Sequence, residues 1–280
     1  MFRATHAPRV TCRTFLEPDL PACRSSEQDQ HPKGRTMKNS KHLSRRVRLA
    51  AAPIAGLALL VAVASSAQAA AEPSVGLGTA TSFAVLAGTT VTNTGPSIIS
   101  GDLGVSPGTS VTGFPPGTVT HGSQRTVTDS AQAQLDLTTA YLDAAGRTPF
   151  TALSVELGGT TLNPGVYSGG TFGLTGTLTL DAGDDPSAVF IFNAASTLIT
   201  GPGSQVELIN GASSCNVFWQ VTSSATLGAG SSFRGTILSL TDIDLKAGAT
   251  VDGRVLARNG QVTLITVSYT HLTLPTNREV

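Results

Sequence analysis

From Val75 to Val267 the apolar positions fall in short runs, each bracketed by Gly, Pro, Asn or Asp. Phe83 to Leu86, Val166-Tyr167, Thr177 to Leu180, Val189 to Phe192, Val217 to Val221, Gly235 to Leu238 and Val262 to Val267 are rich in β-branched, aromatic or other apolar residues. Between them stand Asn163-Pro164-Gly165, Asp181 to Pro186, Gly201-Pro202-Gly203 and Asn210-Gly211. Short runs of this kind between turn residues predict short β-strands.

One phrase recurs within this pattern. A glycine is followed by two small or polar residues, an apolar one, a polar one and usually a second glycine. It reads Gly108-Thr109-Ser110-Val111-Thr112-Gly113, Gly203-Ser204-Gln205-Val206-Glu207-Leu208, Gly230-Ser231-Ser232-Phe233-Arg234-Gly235 and Gly248-Ala249-Thr250-Val251-Asp252-Gly253. Repeated corners of this kind predict a solenoid, with Val111, Val206, Phe233 and Val251 pointing into its core. The spacing is uneven: Gly203 to Gly230 is 27 residues and Gly230 to Gly248 is 18. Coils of unequal length follow, in a discontinuous solenoid.

One segment breaks the strand pattern. Asp129 to Ala145 has no glycine or proline and many helix formers. Ala131, Leu135, Leu142 and Ala145, with Thr138 among them, share one helical face. The spacing predicts a helix over about 129–145, started by Thr128 or Asp129 and ended by a left-handed Gly146. It should lie lengthwise on the solenoid, covering one face and leaving the others open.

The ends differ from this middle. Met37 opens a segment with a basic stretch (Lys38, Lys41, Arg45, Arg46, Arg48), an apolar run from Leu49 to Val63 and the small-residue pattern Ala67-Gln68-Ala69. That is the layout of a secretory signal, cut after Ala69. An uncleaved anchor is the alternative, although the run falls short of the ~18 apolar residues of a span. Residues 1–36 then read as a misassigned upstream segment, 37–69 as the signal, 70–268 as one β-solenoid domain and 269–280 as a disordered or non-native tail.

Charge follows the same division. The whole chain carries 18 basic and 18 acidic residues. From Ala70 onward seven Lys and Arg face 14 Asp and Glu, a net charge of −7. That argues against nucleic acid and anionic membrane as partners. Cys12 and Cys23 precede the signal, so Cys215 is left alone and forms no internal disulfide; it is expected to be a small buried residue.

Candidate chemistry is sparse. Asp242 and Asp244 share one side if they lie on a strand, and Asp184-Asp185 sits in a turn; either pair could hold Ca²⁺ or act as an acid/base pair. Neither has a supporting cluster of acids, Arg or Lys nearby. His121 is the only histidine between Ala70 and the tail, so a His-based metal site or triad is not expected. Trp219, Phe190, Phe192 and Phe218 lie in apolar strands and are expected in the core. The sequence therefore points to no enzyme, no metal and no cofactor.

Several segments together carry a family resemblance: Leu77-Gly78-Thr79-Ala80, Phe83-Ala84-Val85-Leu86-Ala87-Gly88, Gly101-Asp102-Leu103-Gly104-Val105-Ser106-Pro107, Ala140-Tyr141-Leu142-Asp143-Ala144-Ala145, Leu162-Asn163-Pro164-Gly165-Val166-Tyr167, Val189-Phe190-Ile191-Phe192, Asn216-Val217-Phe218-Trp219-Gln220-Val221 and Gly253-Arg254-Val255-Leu256-Ala257-Arg258-Asn259-Gly260. The chain resembles the secreted microbial ice-binding (antifreeze) proteins. The resemblance implies a mostly β fold: a right-handed discontinuous β-solenoid (β-helix) of roughly triangular section with one long α-helix packed alongside. It also implies a secreted monomer whose partner is the ice crystal surface.

Coils stacked about 4.8 Å apart would set side chains in rows, and Thr, with few rotamers, suits such rows. Its methyl offers apolar surface and its hydroxyl holds a water, whereas a charge binds water too strongly and in the wrong arrangement. Members of this family tend to carry Thr, a small residue, any residue, then Thr or Asn on the binding face. This chain has degenerate versions only. Carried over residue by residue, they give Ser168 and Thr171, Asn193 and Ser196, Thr222 and Ser224, Ser239 and Thr241, and Asn259 and Gln261. The degeneracy predicts modest thermal hysteresis with clear inhibition of recrystallisation. A cell-surface or extracellular adhesive module binding glycan or protein is the second reading, and a polysaccharide-active β-solenoid enzyme the third.

Overall fold

The computed structural model describes residues 72–270. The expected upstream segment, the signal and residues 271–280 of the tail lie outside them. Among the described residues the fold is mostly β with one α-helix, and the strands pair in parallel. Successive strands of one coil join different ladders, and each strand pairs with its counterpart one coil away. That is a solenoid.

Three ladders result. The first holds Thr151–Ala152, Gly165–Gly169, Phe190–Ala194, Val217–Val221, residues 236–239, residues 254–257, Phe83–Ala87 and Asp102–Val105. The second is a separate seven-stranded sheet of Phe172–Leu174, Leu198–Thr200, Ala225–Leu227, Ile243–Leu245, Val262–Ile265, Thr90–Thr94 and Ser110–Thr112. The third runs through Thr161–Leu162, Thr177–Asp181, Gln205–Ile209, residues 232–235, residues 250–253, Ser268–Thr270, Ile98–Ser100 and Thr118–Thr120. The eight-residue strands Ser232–Ser239 and Thr250–Ala257 turn from the third ladder into the first without a break.

The stacking order departs from chain order. The first two coils, built from 83–100 and 102–120, stack beyond the last coil: Thr90–Thr94 pairs with Val262–Ile265, and Phe83–Ala87 with Thr250–Ala257. The chain must then return to the opposite end to begin at Thr151. The helix Val127–Gly146 makes that journey. Its 20 residues span about 30 Å, close to the ~34 Å covered by eight stacked coils. A buried polar knot fastens the junction. Asn93 Nδ2 donates to the carbonyls of Gly95 and Gly113 at 2.8 Å, Ser97 Oγ donates to Asn93 Oδ1, and Val267 N donates to Ser97 Oγ at 3.0 Å.

The interior follows from strand alternation. Tyr167, Phe192 and Trp219 share one register position, so their inward rings stack: Phe192 and Trp219 lie 4.0 Å apart at 10°, Tyr167 and Phe192 5.3 Å apart. Phe233 joins them at 5.2 Å from Trp219. Trp219, Phe190, Phe192 and Phe218 are buried, as the strand pattern predicts. Val206, Phe233 and Val251 are buried too, and Val111 is partly buried against the core. Gly203, Gly230 and Gly248 mark one corner, each at φ near +70° (67, 66 and 74°). Gly108 belongs to a different corner, ahead of Ser110–Thr112, where a Cβ would strike the Thr89 carbonyl of the neighbouring coil. The four phrases are therefore not equivalent.

The helix corrects three expectations. Its start is set earlier, by Thr126, whose Oγ1 accepts from Asp129 N at 3.2 Å and donates to the Asp129 carboxylate at 2.8 Å. Gly146 is its last residue and takes no positive φ. The buried stripe is Ser130, Ala133, Leu137, Ala140, Tyr141 and Ala144, not Ala131, Leu135, Leu142 and Ala145; Leu135 and Leu142 are 63% and 61% exposed. The reason is packing. The outer row beneath the helix is large (Leu86, Ile191, Phe218, Leu238, Leu256), so the alanine-rich side, which lets the helix axis approach, is the side that docks.

Two smaller points differ. Cys215 is half-buried rather than buried. The strand Ser268–Thr270 pairs with Thr250, Val251 and Asp252, so the folded backbone runs two residues past the expected boundary at 268.

Candidate functional site

The three ladders present different outer rows. The first is covered: Leu86, Val166, Ile191, Phe218, Leu238 and Leu256 form one apolar cluster with the helix. Polar contacts lock the cover in place. Gln134 Nε2 donates to Ala257 O at 3.2 Å, Arg258 Nε reaches Thr138 Oγ1 at 3.1 Å, and the Arg258 guanidinium lies 5.1 Å from the Tyr141 ring centre. Asp136 accepts from Thr79 N at 2.7 Å and Thr79 Oγ1 at 2.6 Å, and these bonds hold its carboxyl below the ordinary range.

The third ladder carries charge. Glu207, Arg234 and Asp252 lie on adjacent strands one position beyond Val206, Phe233 and Val251, whose side chains point inward. Arg234 Nη1 pairs with Asp252 Oδ2 at 3.1 Å, and Ser214 Oγ donates to the same oxygen. The short 3-10 turn Ser214–Asn216 thus reaches that face.

The seven-stranded sheet is neither covered by the helix nor broadly charged. Its inward row is Phe172, Leu198, Ala225, Ile243, Val262, Val91 and the partly buried Val111. The residues on either side of these point outward. The central outer row reads Gly173, Ile199, Thr226, Asp244, Thr263, Thr92 and Thr112, in register from strand to strand. The row before it reads Thr171, Thr197, Ser224, Asp242, Gln261, Thr90 and Ser110. Thr171 and Thr197 hydroxyls lie 3.4 Å apart, as neighbours on adjacent rungs should. The face is a grid of threonine and other small or neutral groups, interrupted on the rung Ile243–Leu245.

The ten residues carried over from the family pattern fall in three places. Thr171, Ser224 and Gln261 stand on the edge row of this sheet. Ser196, Thr222, Thr241 and Asn259 occupy the turns leading into it. Ser168, Asn193 and Ser239 belong to the first ladder. Ser239 is fully buried, with Oγ donating to Ser223 O at 2.7 Å, and Asn193 Nδ2 donates to Ala144 O at the helix end. These last three are not on the sheet's outer surface. The central threonines Thr92, Thr112, Thr226 and Thr263 are not among the ten. A signal existed, since Thr90-Val91-Thr92-Asn93-Thr94 and Ser110-Val111-Thr112 alternate with period two. Within the glycine phrase, however, Ser110-Val111-Thr112 reads as a corner.

Asp242 and Asp244 fall on the outer side of one rung, as strand alternation predicts, and each has its own partner. Asp242 Oδ1 accepts from Gln261 N at 2.9 Å, and Asp244 lies 3.9 Å from Lys246 Nζ. Asp184 and Asp185 lie in a turn, where the Asp185 carboxylate accepts from Ser187 Oγ and N, bonds that hold it low. Among the described residues, no group of three or more His, Cys, Asp or Glu is placed to hold a metal ion.

Comparison with known proteins bears directly on this geometry. A family model described as Ice-binding-like matches residues 85–270. The ice-binding protein of Nostoc sp. (strain HG1) is 52% identical over 193 residues, covering 68% of this chain and 71% of its own. That of Flavobacterium frigoris (strain PS1) is 34% identical over 217 residues, covering 72% and 76%. A crystal structure of an ice binding protein from an Antarctic biological consortium matches with a TM-score of 0.69 at 46% identity, over 72% of this chain and 92% of that one. A second, from the Antarctic ascomycete Antarctomyces psychrotrophicus, matches with a TM-score of 0.69 at 40% identity, over 72% and 100%.

Proposed function

The chain belongs to the ice-binding-like family, and on that footing we propose that it adsorbs to ice through the outer face of the seven-stranded sheet. One observation carries the choice of face. This sheet lies outside the helix cluster and carries four threonines on its central outer row, broken by one charge at Asp244. The third ladder also bears threonines (Thr177, Thr250, Thr118) but sets Glu207, Arg234 and Asp252 side by side across its centre. The strand ladder fixes the backbone, and Thr has little χ1 freedom to lose, so little order remains to be imposed at the crystal surface. The methyls limit how firmly water is held while the hydroxyls anchor it, which suits a water layer shared with ice. No bond is made or broken, and no catalytic group or cofactor is called for. The interrupted grid fits modest thermal hysteresis with inhibition of recrystallisation.

The same reading extends to the less direct features. The winding is right-handed, as parallel crossovers nearly always are, and the section is roughly triangular, one side for each ladder. The protein is exported by the segment 37–69 and acts as a monomer outside the cell, its folded domain starting near residue 70. Ice-affinity partitioning of the full chain tests the function. Enrichment in the ice fraction is the expected result, and a protein left wholly in the liquid would overturn it. Thr263→Tyr should abolish enrichment, while Thr250→Tyr on the third ladder should leave it intact. The reverse would move the site to the other face.

A further inference from the structure

The seven rungs of the sheet are unequal. At one end, a Cβ built at Gly173 would lie 3.5 Å from Glu156 Oε2, so a carboxylate sits over the outer side of that rung. It is fixed there: Glu156 accepts from Thr175 N at 2.7 Å and from Gly158 N at 2.8 Å, bonds that hold its carboxyl low and therefore charged. The next rung presents Ile199, half exposed. In the middle stands Ile243–Leu245 with Asp244 on the outer row, flanked by Asp242 and Lys246. Beyond it lie three rungs whose outer rows carry no charge: Gln261, Thr263 and Ile265; Thr90, Thr92 and Thr94; Ser110 and Thr112.

We propose that ice contact is concentrated on this last block, and that Asp244 limits it by bounding the block. The inference rests on the reading of the sheet as the ice-contact face. The physical ground is hydration. A carboxylate and an ammonium each hold water in their own radial arrangement, and their 3.9 Å pairing is too exposed to cancel that hydration. An ordered water layer spreading from Thr92 and Thr263 must stop at this rung. The block is also assembled from distant chain segments, 90–112 and 261–265, joined through the Asn93–Ser97–Val267 knot. It exists only when the solenoid has closed on its N-terminal coils.

Three full-length variants test this, read as thermal hysteresis and ice partitioning, with circular dichroism and melting to confirm folding. Thr92→Tyr, inside the block, should lower thermal hysteresis by about tenfold, the effect of ~1.4 kcal/mol of lost contact. Thr226→Tyr, on the far side of Asp244, should stay within about twofold of the parent, as for a neutral surface change. Asp244→Asn, which removes only the charge, should raise thermal hysteresis above the parent. An equal loss in the two tyrosine variants, or a larger one for Thr226→Tyr, would overturn the block. A folded Asp244→Asn protein with unchanged or lower activity would overturn the limiting role. If both tyrosine variants still partition fully into ice, the choice of sheet itself fails. That differs from a loss confined to Thr92→Tyr with no gain from Asp244→Asn, which leaves the sheet standing.

Discussion

The helix-side ladder and the seven-stranded sheet are built by the same coils, yet one buries its outer row and the other shows it to water. The inner rows are alike: aliphatic and aromatic, pointing into one core. The outer rows separate them. Val166, Ile191, Phe218, Leu238 and Leu256 contribute to stability because a helix covers them; Thr92, Thr112, Thr226 and Thr263 touch no covering element and are free to meet a surface. Under the proposed function, the solenoid would divide labour between faces, with stability on one side and recognition on the other. Substitutions should show the two effects coming apart.

The largest break belongs to the covered side. Phe218→Ala removes a fully buried ring from beneath the helix and should cost about 3–5 kcal/mol in chemical unfolding, while molecules still folded partition into ice as before. A cost below about 1 kcal/mol would mean the helix is not a stabilising cover.

Next comes the buried carboxylate on the outermost coil. Burial works against the charge on Asp102, but the Arg125 guanidinium at 2.8 Å and the Ser123 N–H outweigh it and hold the carboxyl below its usual value. Asp102→Ala should cost about 1–3 kcal/mol through the Ser123 N–H left unpaired. The sign of the pH effect follows. Asp102 and Asp136 both have lowered folded values, so the unfolded chain takes up protons first. Their stabilisation is complete above the unfolded carboxylate value of about 4 and is lost as the pH falls further. Melting curves should therefore be flat from neutral pH to about 5 as far as these groups are concerned and fall below about 4. An Asp102→Ala, Asp136→Ala double variant should show a shallower fall.

A smaller effect is expected at the helix start. Thr126→Ala removes the cap from Asp129 N and should cost about 1 kcal/mol, read as a lower melting temperature with ice partitioning unchanged. The smallest effect on stability is expected on the open sheet. Thr112→Val keeps shape and loses only a hydroxyl at an exposed site, so unfolding should change by less than about 0.5 kcal/mol. Recrystallisation inhibition should nevertheless fall. Wild-type inhibition in this variant would show that the methyl, not the hydroxyl, carries that position.

Much of the fold was legible because strand signals are local. The runs at Phe190, Val217 and Val262 and the turns at Gly203, Gly230 and Gly248 each declare themselves within a few residues. The helix declared its length but not its buried side. Leu135 and Leu142 are the obvious apolar choice by composition, yet the partner surface was already filled by large side chains and took the alanines instead. The candidate face was half legible. Thr171, Ser224 and Gln261 emerged from the residue pattern after each strand, whereas Ser168, Asn193 and Ser239 were drawn in by the same pattern although they belong to a different ladder.

What the sequence by itself determined was the repertoire of elements: short parallel-type strands, glycine corners, one long helix, an acidic chain from residue 70 onward and a family pattern. Those follow from backbone preferences and side-chain alternation, which act over two to five residues. Only the tertiary structure decided which coil neighbours which. It placed residues 83–120 beyond residue 270 in the stack, so that Thr92 stands beside Thr263 despite 170 intervening residues. It also decided which outer row is covered, because that depends on the side from which the returning helix docks. A surface made of rows is a property of the stacking, and stacking joins residues whose separation no local signal encodes.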